Sequence, residues 1–159
     1  MLNKMNFFEG IVRRTPTGQK KSEALDQTTL HPFDVRNIHH RLPKIVKNLF
    51  DDGHFAQATF EAFKFIDKEI QRHSGLQETG YKLMMAAFSE NSPQIKLTKV
   101  SNQSEKDEQK GYQFLFAGSI LAIRNPRGHD EIKDDIDSCL DHLSLASILI
   151  RRLEQSKYI

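Results

Sequence analysis

The sequence has no tryptophan, three tyrosines, one cysteine and almost no net charge. Each scarcity removes a class of protein. The lone Cys139 can neither close an intrachain disulfide nor supply a thiolate cluster for zinc, so the composition fits a reducing compartment and points to the cytoplasm. The 23 basic and 21 acidic side chains leave +2 over 159 residues. That is far too little for a protein held on nucleic acid by its overall field, because every phosphate neutralised takes a Lys or Arg. Any nucleic-acid chemistry has to be local. No apolar run approaches the roughly 20 residues that span a bilayer, and Glu9 interrupts the start before a signal peptide's apolar stretch can form, so no membrane partner is expected. The 11 phenylalanines suit a filled core better than a platform for stacking single-stranded bases.

What is present reads as one folded domain with an arm. Residues 1–50 carry 9 basic and 4 acidic side chains, whereas 51–159 carry 14 and 17. Residues 1–29 are mixed, with the turn signal Thr15-Pro16-Thr17-Gly18, and form an N-terminal arm; residues 30–159 form the domain. From Leu30-His31-Pro32 the period turns helical through Val35, Ile38 and Leu42, then Ile45, Val46, Leu49 and Phe50, with Pro43 dividing the two pieces. Asp51-Asp52-Gly53 ends that run and His54 opens a widely buried helix to about residue 73. A further amphipathic run covers about 79–88. Residues 89–104 lose the period, and Ile95, Leu97 and Val100 suggest an irregular or β-hairpin insertion. The stretch from about Glu105 to Ile123 becomes almost continuously apolar, as in a central helix, and Pro126 predicts its stop near Arg124 or Asn125. A last helix, about 137–155, begins among Asp134, Asp135 and Asp137, which suit its positive end. The predicted fold is all-α, four main helices with shorter additions.

There is no Cys-x-x-Cys, no His-Glu-x-x-His and no glycine-rich phosphate loop, and the acidic run 130–137 lacks the spacing and glycine of a calcium loop, so neither metal nor cofactor is expected. Among seven histidines, His129 is set apart by the stretch Arg124-Asn125-Pro126-Arg127-Gly128-His129, between the most apolar segment and the last helix. Imidazoles exchange protons near neutral pH, and a guanidinium holds a phosphate without ever losing its charge. Such a pair can cleave RNA without a metal: a base takes the ribose 2′-hydroxyl proton, the oxygen attacks the phosphate, and a fixed cation steadies the added negative charge. Asn125 can orient the phosphate or the imidazole, and Arg127 can add a backbone phosphate contact. A given Arg–His spacing arises by chance about 0.4 times in a chain with this content, so position carries the weight. In the competing reading Arg124 and Arg127 pair with Asp130, Glu131 and Asp134 to pin the turn, and His129 serves as a helix cap.

At these residues the sequence resembles the Ymh family of uncharacterised bacterial proteins, itself similar to the HEPN superfamily. The resemblance spans about residues 30–155. It is carried by Leu30-His31-Pro32, Leu49-Phe50-Asp51-Asp52-Gly53-His54-Phe55, Phe60-Glu61-Ala62-Phe63-Lys64, Leu83-Met84-Met85-Ala86-Ala87-Phe88-Ser89, Gly111-Tyr112-Gln113-Phe114-Leu115-Phe116-Ala117-Gly118, the Arg124–His129 stretch and Leu143-Ser144-Leu145-Ala146-Ser147. It implies a four- to five-helix HEPN-like bundle that forms a homodimer with two Arg-x4-6-His motifs facing one cleft. It also implies a metal-independent ribonuclease acting as a toxin or antiphage effector, with RNA as substrate and an antitoxin or another defence protein as partner. Arg124 and His129 match the motif's fixed positions, Asn125 its following polar residue, and Glu61 an acidic residue that supports the site in some members. Other HEPN proteins are non-catalytic modules for dimerisation, regulation or RNA and nucleotide binding, the alternative for this chain.

Overall fold

The computed structural model describes residues 30–156, and the predicted arm, 1–29, lies outside the described residues. The elements in order are α1 (Pro32–Val35), α2 (Lys44–Asp51), α3 (Phe55–Ser74), α4 (Gly80–Ala87), α5 (Gln103–Ser119), a π-helical turn (Ile120–Arg124), α6 (Asn125–His129) and α7 (Ile136–Gln155). Among the described residues there is no strand, and the fold is an all-α bundle. No helix there is long and apolar enough to cross a membrane.

Helix α3 is the hub, packed against α2, α4, the π turn, α6 and α7. Its Ala58, Ala62, Phe63, Ile66 and Ile70 are buried at spacings of three and four, so one continuous stripe meets its neighbours. Facing it, α7 buries Cys139, Leu140, Leu143, Ala146, Leu149, Ile150 and Leu153. Gly53 and Gly75, at φ +79° and +70°, end α2 and α3 in the left-handed conformation that costs other residues a Cβ clash. Asp135 caps α7 by accepting from the Ser138 N–H at 2.7 Å.

Three features depart from the predicted pattern, and a fourth, the 89–104 insertion, takes the irregular of its two expected forms. The stretch read as helical around Val35, Ile38 and Leu42 contains only the four residues of α1, after which Asn37 turns at φ +50° and the His39 N–H bonds to the buried Ser147 hydroxyl at 2.9 Å. A side chain from α7 thus takes the place of a helical carbonyl.

No β-hairpin forms in the 89–104 insertion. Its backbone is instead tied by the buried Gln109 amide, which accepts from Leu97 N–H at 2.8 Å and donates to the carbonyls of Phe88 and Ile95 at 3.2 and 3.0 Å.

Pro126 does not stop the helix. The Asn125 N–H reaches back to the Ile120 carbonyl, a π turn that resets the hydrogen-bond ladder, and Pro126 falls in the first turn of α6, where its missing donor costs nothing.

Finally, α5 is not fully enclosed. Phe114, Leu115 and Leu121 are 55%, 49% and 49% exposed, on a face shared with exposed Gly111, Gly118 and Ala122.

Candidate functional site

The π turn and α6 carry Arg124, Asn125, Arg127 and His129 on one helical stretch. His129 is therefore the last residue of the same helix as Arg124, not the start of α7. Five residues of α-helix make about 1.4 turns, so the two side chains leave the backbone in different directions. No hydrogen bond joins them.

Arg124 is half-buried over the Phe60 ring of α3, its guanidinium carbon 5.3 Å from the ring centroid. Its Nη1 donates to Asn125 Oδ1 at 3.0 Å, and its buried Nε has no hydrogen-bond partner. No carboxylate among the described residues lies within ion-pairing distance of it. Here Asn125 orients the arginine, a neighbour relation the sequence allowed but did not single out. His129 is exposed and makes no hydrogen bond or ion pair with the described residues.

Arg127 has a different place from the phosphate contact expected of it. Its Nε and Nη2 each bond to Asp134 at 2.6 Å, and its Nη1 donates to the Ile123 carbonyl at 2.8 Å. Side-chain exposures of 8% and 5% make this a buried ion pair. The guanidinium is thus committed to the chain itself, pinning the 130–135 loop across the end of α6. His142 joins from α7, its Nδ1 3.4 Å from Arg127 Nη2, and burial, with the Arg127 charge, holds that imidazole's pKa below its ordinary value. Since Arg127 has only donors, Nδ1 is the acceptor and the proton sits on Nε2.

Glu61 lies one residue from Phe60 but points its carboxylate at Lys64, with bonds of 2.9 and 3.1 Å. Lys64 Nζ is itself 5.9 Å from the Phe60 centroid. Glu61 therefore reaches the Arg124 site only through that lysine and the shared ring. Two contributors are absent from the sequence-level set, Phe60 and Gly128. A Cβ on Gly128 would stand 2.9 Å from Phe60 Cε2, so the ring occupies space that only a glycine leaves open. Phe60 looked like one more core phenylalanine, and the signal that could have separated it is its helical register with Glu61 and Lys64 on the half-exposed side of α3.

Beside this stretch a cleft of about 350 Å³ lies between the first turn of α3 (Ala56, Gln57) and Asp130–Lys133. A second cavity, about 280 Å³, sits between α3 and α7 over Phe65, Ile66, Ile150 and Leu153. Arg41 spans its rim, bonded to Glu69 at 2.5 Å and Glu154 at 3.2 Å, so its charges are already partnered. Among the described residues no group of three or more His, Cys, Asp or Glu side chains is arranged to hold a metal. Burial drives the Cys139 thiol up to about 11, so it is no nucleophile.

A family model described as a protein of unknown function, Hypoth_ymh, matches residues 36–153. No curated protein and no solved structure matches the chain.

Proposed function

The chain belongs to the Ymh family, and from its site we propose that it is a metal-independent endoribonuclease of the HEPN type, with Arg124 and His129 as its chemical pair. The observation that carries this reading is the uncompensated Arg124: a fixed guanidinium with a neutral partner, an unused N–H and, among the described residues, no carboxylate within ion-pairing distance. A cation held this way costs stability unless something anionic uses it. The scissile phosphate of RNA is such a group, and an exposed histidine five residues away supplies the proton transfer.

In the proposed reaction an imidazole takes the 2′-hydroxyl proton as that oxygen attacks phosphorus. The P–O5′ bond breaks, a protonated imidazole gives the leaving oxygen its proton, and a 2′,3′-cyclic phosphate remains. Arg124 holds the two negative charges that gather on the non-bridging oxygens in the transition state. Two imidazoles suit this exchange better than one, and a homodimer provides them. The exposed Phe114, Leu115 and Leu121, set among Gly111, Gly118 and Ala122, form an apolar face whose glycine hollows can take the knobs of a second copy. That face belongs to the helix that runs on into Arg124. With Arg127 committed to Asp134, the paired Arg124 residues provide the cationic part of the cleft. Action as a toxin or antiphage effector in the cytoplasm, restrained by an antitoxin or another defence protein, extends the resemblance.

The test is incubation of purified protein with RNA in EDTA. Wild type yields cyclic-phosphate ends, and His129→Ala and Arg124→Ala each lose about 10²–10⁴-fold in rate. Equal cleavage by all three, or none by any, overturns the proposal. The same apolar face also favours a second reading, a non-catalytic dimerisation or regulatory module. Under it Phe114→Glu abolishes the cellular phenotype while His129→Ala leaves it intact.

A further inference from the structure

We propose that Phe60 is a positioning residue of this site: its ring, admitted by the bare Gly128, seats the Arg124 guanidinium and ties it to the backbone that carries His129. The catalytic consequence rests on the ribonuclease reading, whereas the seat itself does not.

Three contacts meet on this ring. The Arg124 guanidinium lies over it at 5.3 Å, Lys64 Nζ approaches at 5.9 Å, and Gly128 leaves the gap that its Cε2 edge fills. The π face supplies attraction to a cation without a negative charge. A carboxylate in the same place would hold Arg124 more tightly but would neutralise the charge needed for phosphate. The guanidinium it seats carries a buried donor with no conventional acceptor, Arg124 Nε. Glu61 fits the same scheme, because its bonds to Lys64 offset the second cation over the ring and leave Arg124 as the uncompensated one.

Gly128 has a matching purpose. It stands directly before His129, and its missing side chain lets the end of α6 close onto α3 through Phe60. The ring therefore touches the side chain of one proposed reacting residue and the backbone next to the other. The helical backbone already holds Arg124 and His129 five residues apart, and Phe60 adds the side-chain support that fixes where the guanidinium lies relative to that backbone.

The experiment follows the Arg124 Nε–H resonance by NMR, assigned from its loss in Arg124→Lys, together with cleavage of RNA in EDTA. The wild-type resonance is expected to be ring-shifted and slow to exchange with water. Phe60→Leu should move it to the position of a solvated arginine, Phe60→Tyr should keep it, and Gly128→Ala should shift it by displacing the ring. In cleavage, Phe60→Leu should lower kcat about 10²-fold, with KM nearly unchanged and Phe60→Tyr restoring the rate. An unmoved resonance in Phe60→Leu overturns the proposal, as does a wild-type kcat beside a moved resonance. If wild type itself leaves RNA intact, the ribonuclease reading falls, and the resonance in Phe60→Leu and Gly128→Ala still decides the seat.

Discussion

Arg124 and Arg127 sit three residues apart on one helical stretch and are treated in opposite ways. Arg127 is almost fully buried, bidentate to Asp134 and bonded to a backbone carbonyl. Arg124 rests on an aromatic ring, is bonded to an amide and keeps one N–H unused. The first arrangement spends a guanidinium on holding a loop; the second holds a guanidinium and leaves its charge available. A catalytic cation has to be of the second kind, since an ion pair inside the protein competes with the substrate's phosphate for the same donors.

The sharpest way to break this contrast is to remove the buried pair one partner at a time. Arg127→Ala or Asp134→Ala should cost about 3–5 kcal/mol by urea denaturation, because each leaves a buried charge alone. Replacing both, as Arg127→Met with Asp134→Leu, should recover most of that loss, and a double variant no better than either single one would show that the pair does more than satisfy itself. By contrast, Arg124→Ala should cost no more than about 1 kcal/mol, because the half-buried cation–π contact it loses is offset by removal of a buried N–H that has no acceptor. A loss as large as that of Arg127→Ala would place the two arginines in the same structural class and remove the case for chemistry.

A smaller effect is expected from pH. The folded His142 imidazole binds its proton less readily than an ordinary histidine, so as pH falls through the usual histidine range the unfolded chain takes up a proton that the folded chain refuses. Stability should therefore decline on acidification, then level off once pH is below the depressed value. His73, lowered by burial and by the Arg72 charge, acts in the same direction. The thermal midpoint of His142→Gln should fall less between pH 7.5 and 5.5 than that of wild type, and equal slopes would count against the Arg127–His142 contact. The least change belongs to Arg36→Ala, whose pair with Asp141 is exposed on both sides and is worth about 0–1 kcal/mol.

The helices with strong apolar period and clear punctuation were legible in the sequence. Gly53 and the acids before Ile136 marked the real end of α2 and the real start of α7. Periodicity misled where a distant group supplied the hydrogen bond, as Ser147 does for His39, whereas the loss of period over 89–104 correctly marked an irregular segment that Gln109 ties down. It also overstated burial in α5, because a continuous apolar run does not tell a core helix from one with an uncovered face. The proline rule failed at Pro126 because it describes an α-ladder, and the ladder there changes register. At the site, the Arg-His spacing could be read, and so could the Arg127–Asp134 pairing of the competing reading, but not that Arg124 stays outside any such pair. That depends on which ring α3 presents to it.

The π turn contains one residue more than the same length of α-helix needs, and that surplus makes it behave like a stored insertion. Deleting Ala122 would let the backbone close into uninterrupted α-helix with the later residues near their present phase, but the Pro126 ring would then meet the carbonyl four positions back. A single-codon deletion would thus leave composition, charge and core nearly unaltered while setting Pro126 against the helix that now admits it.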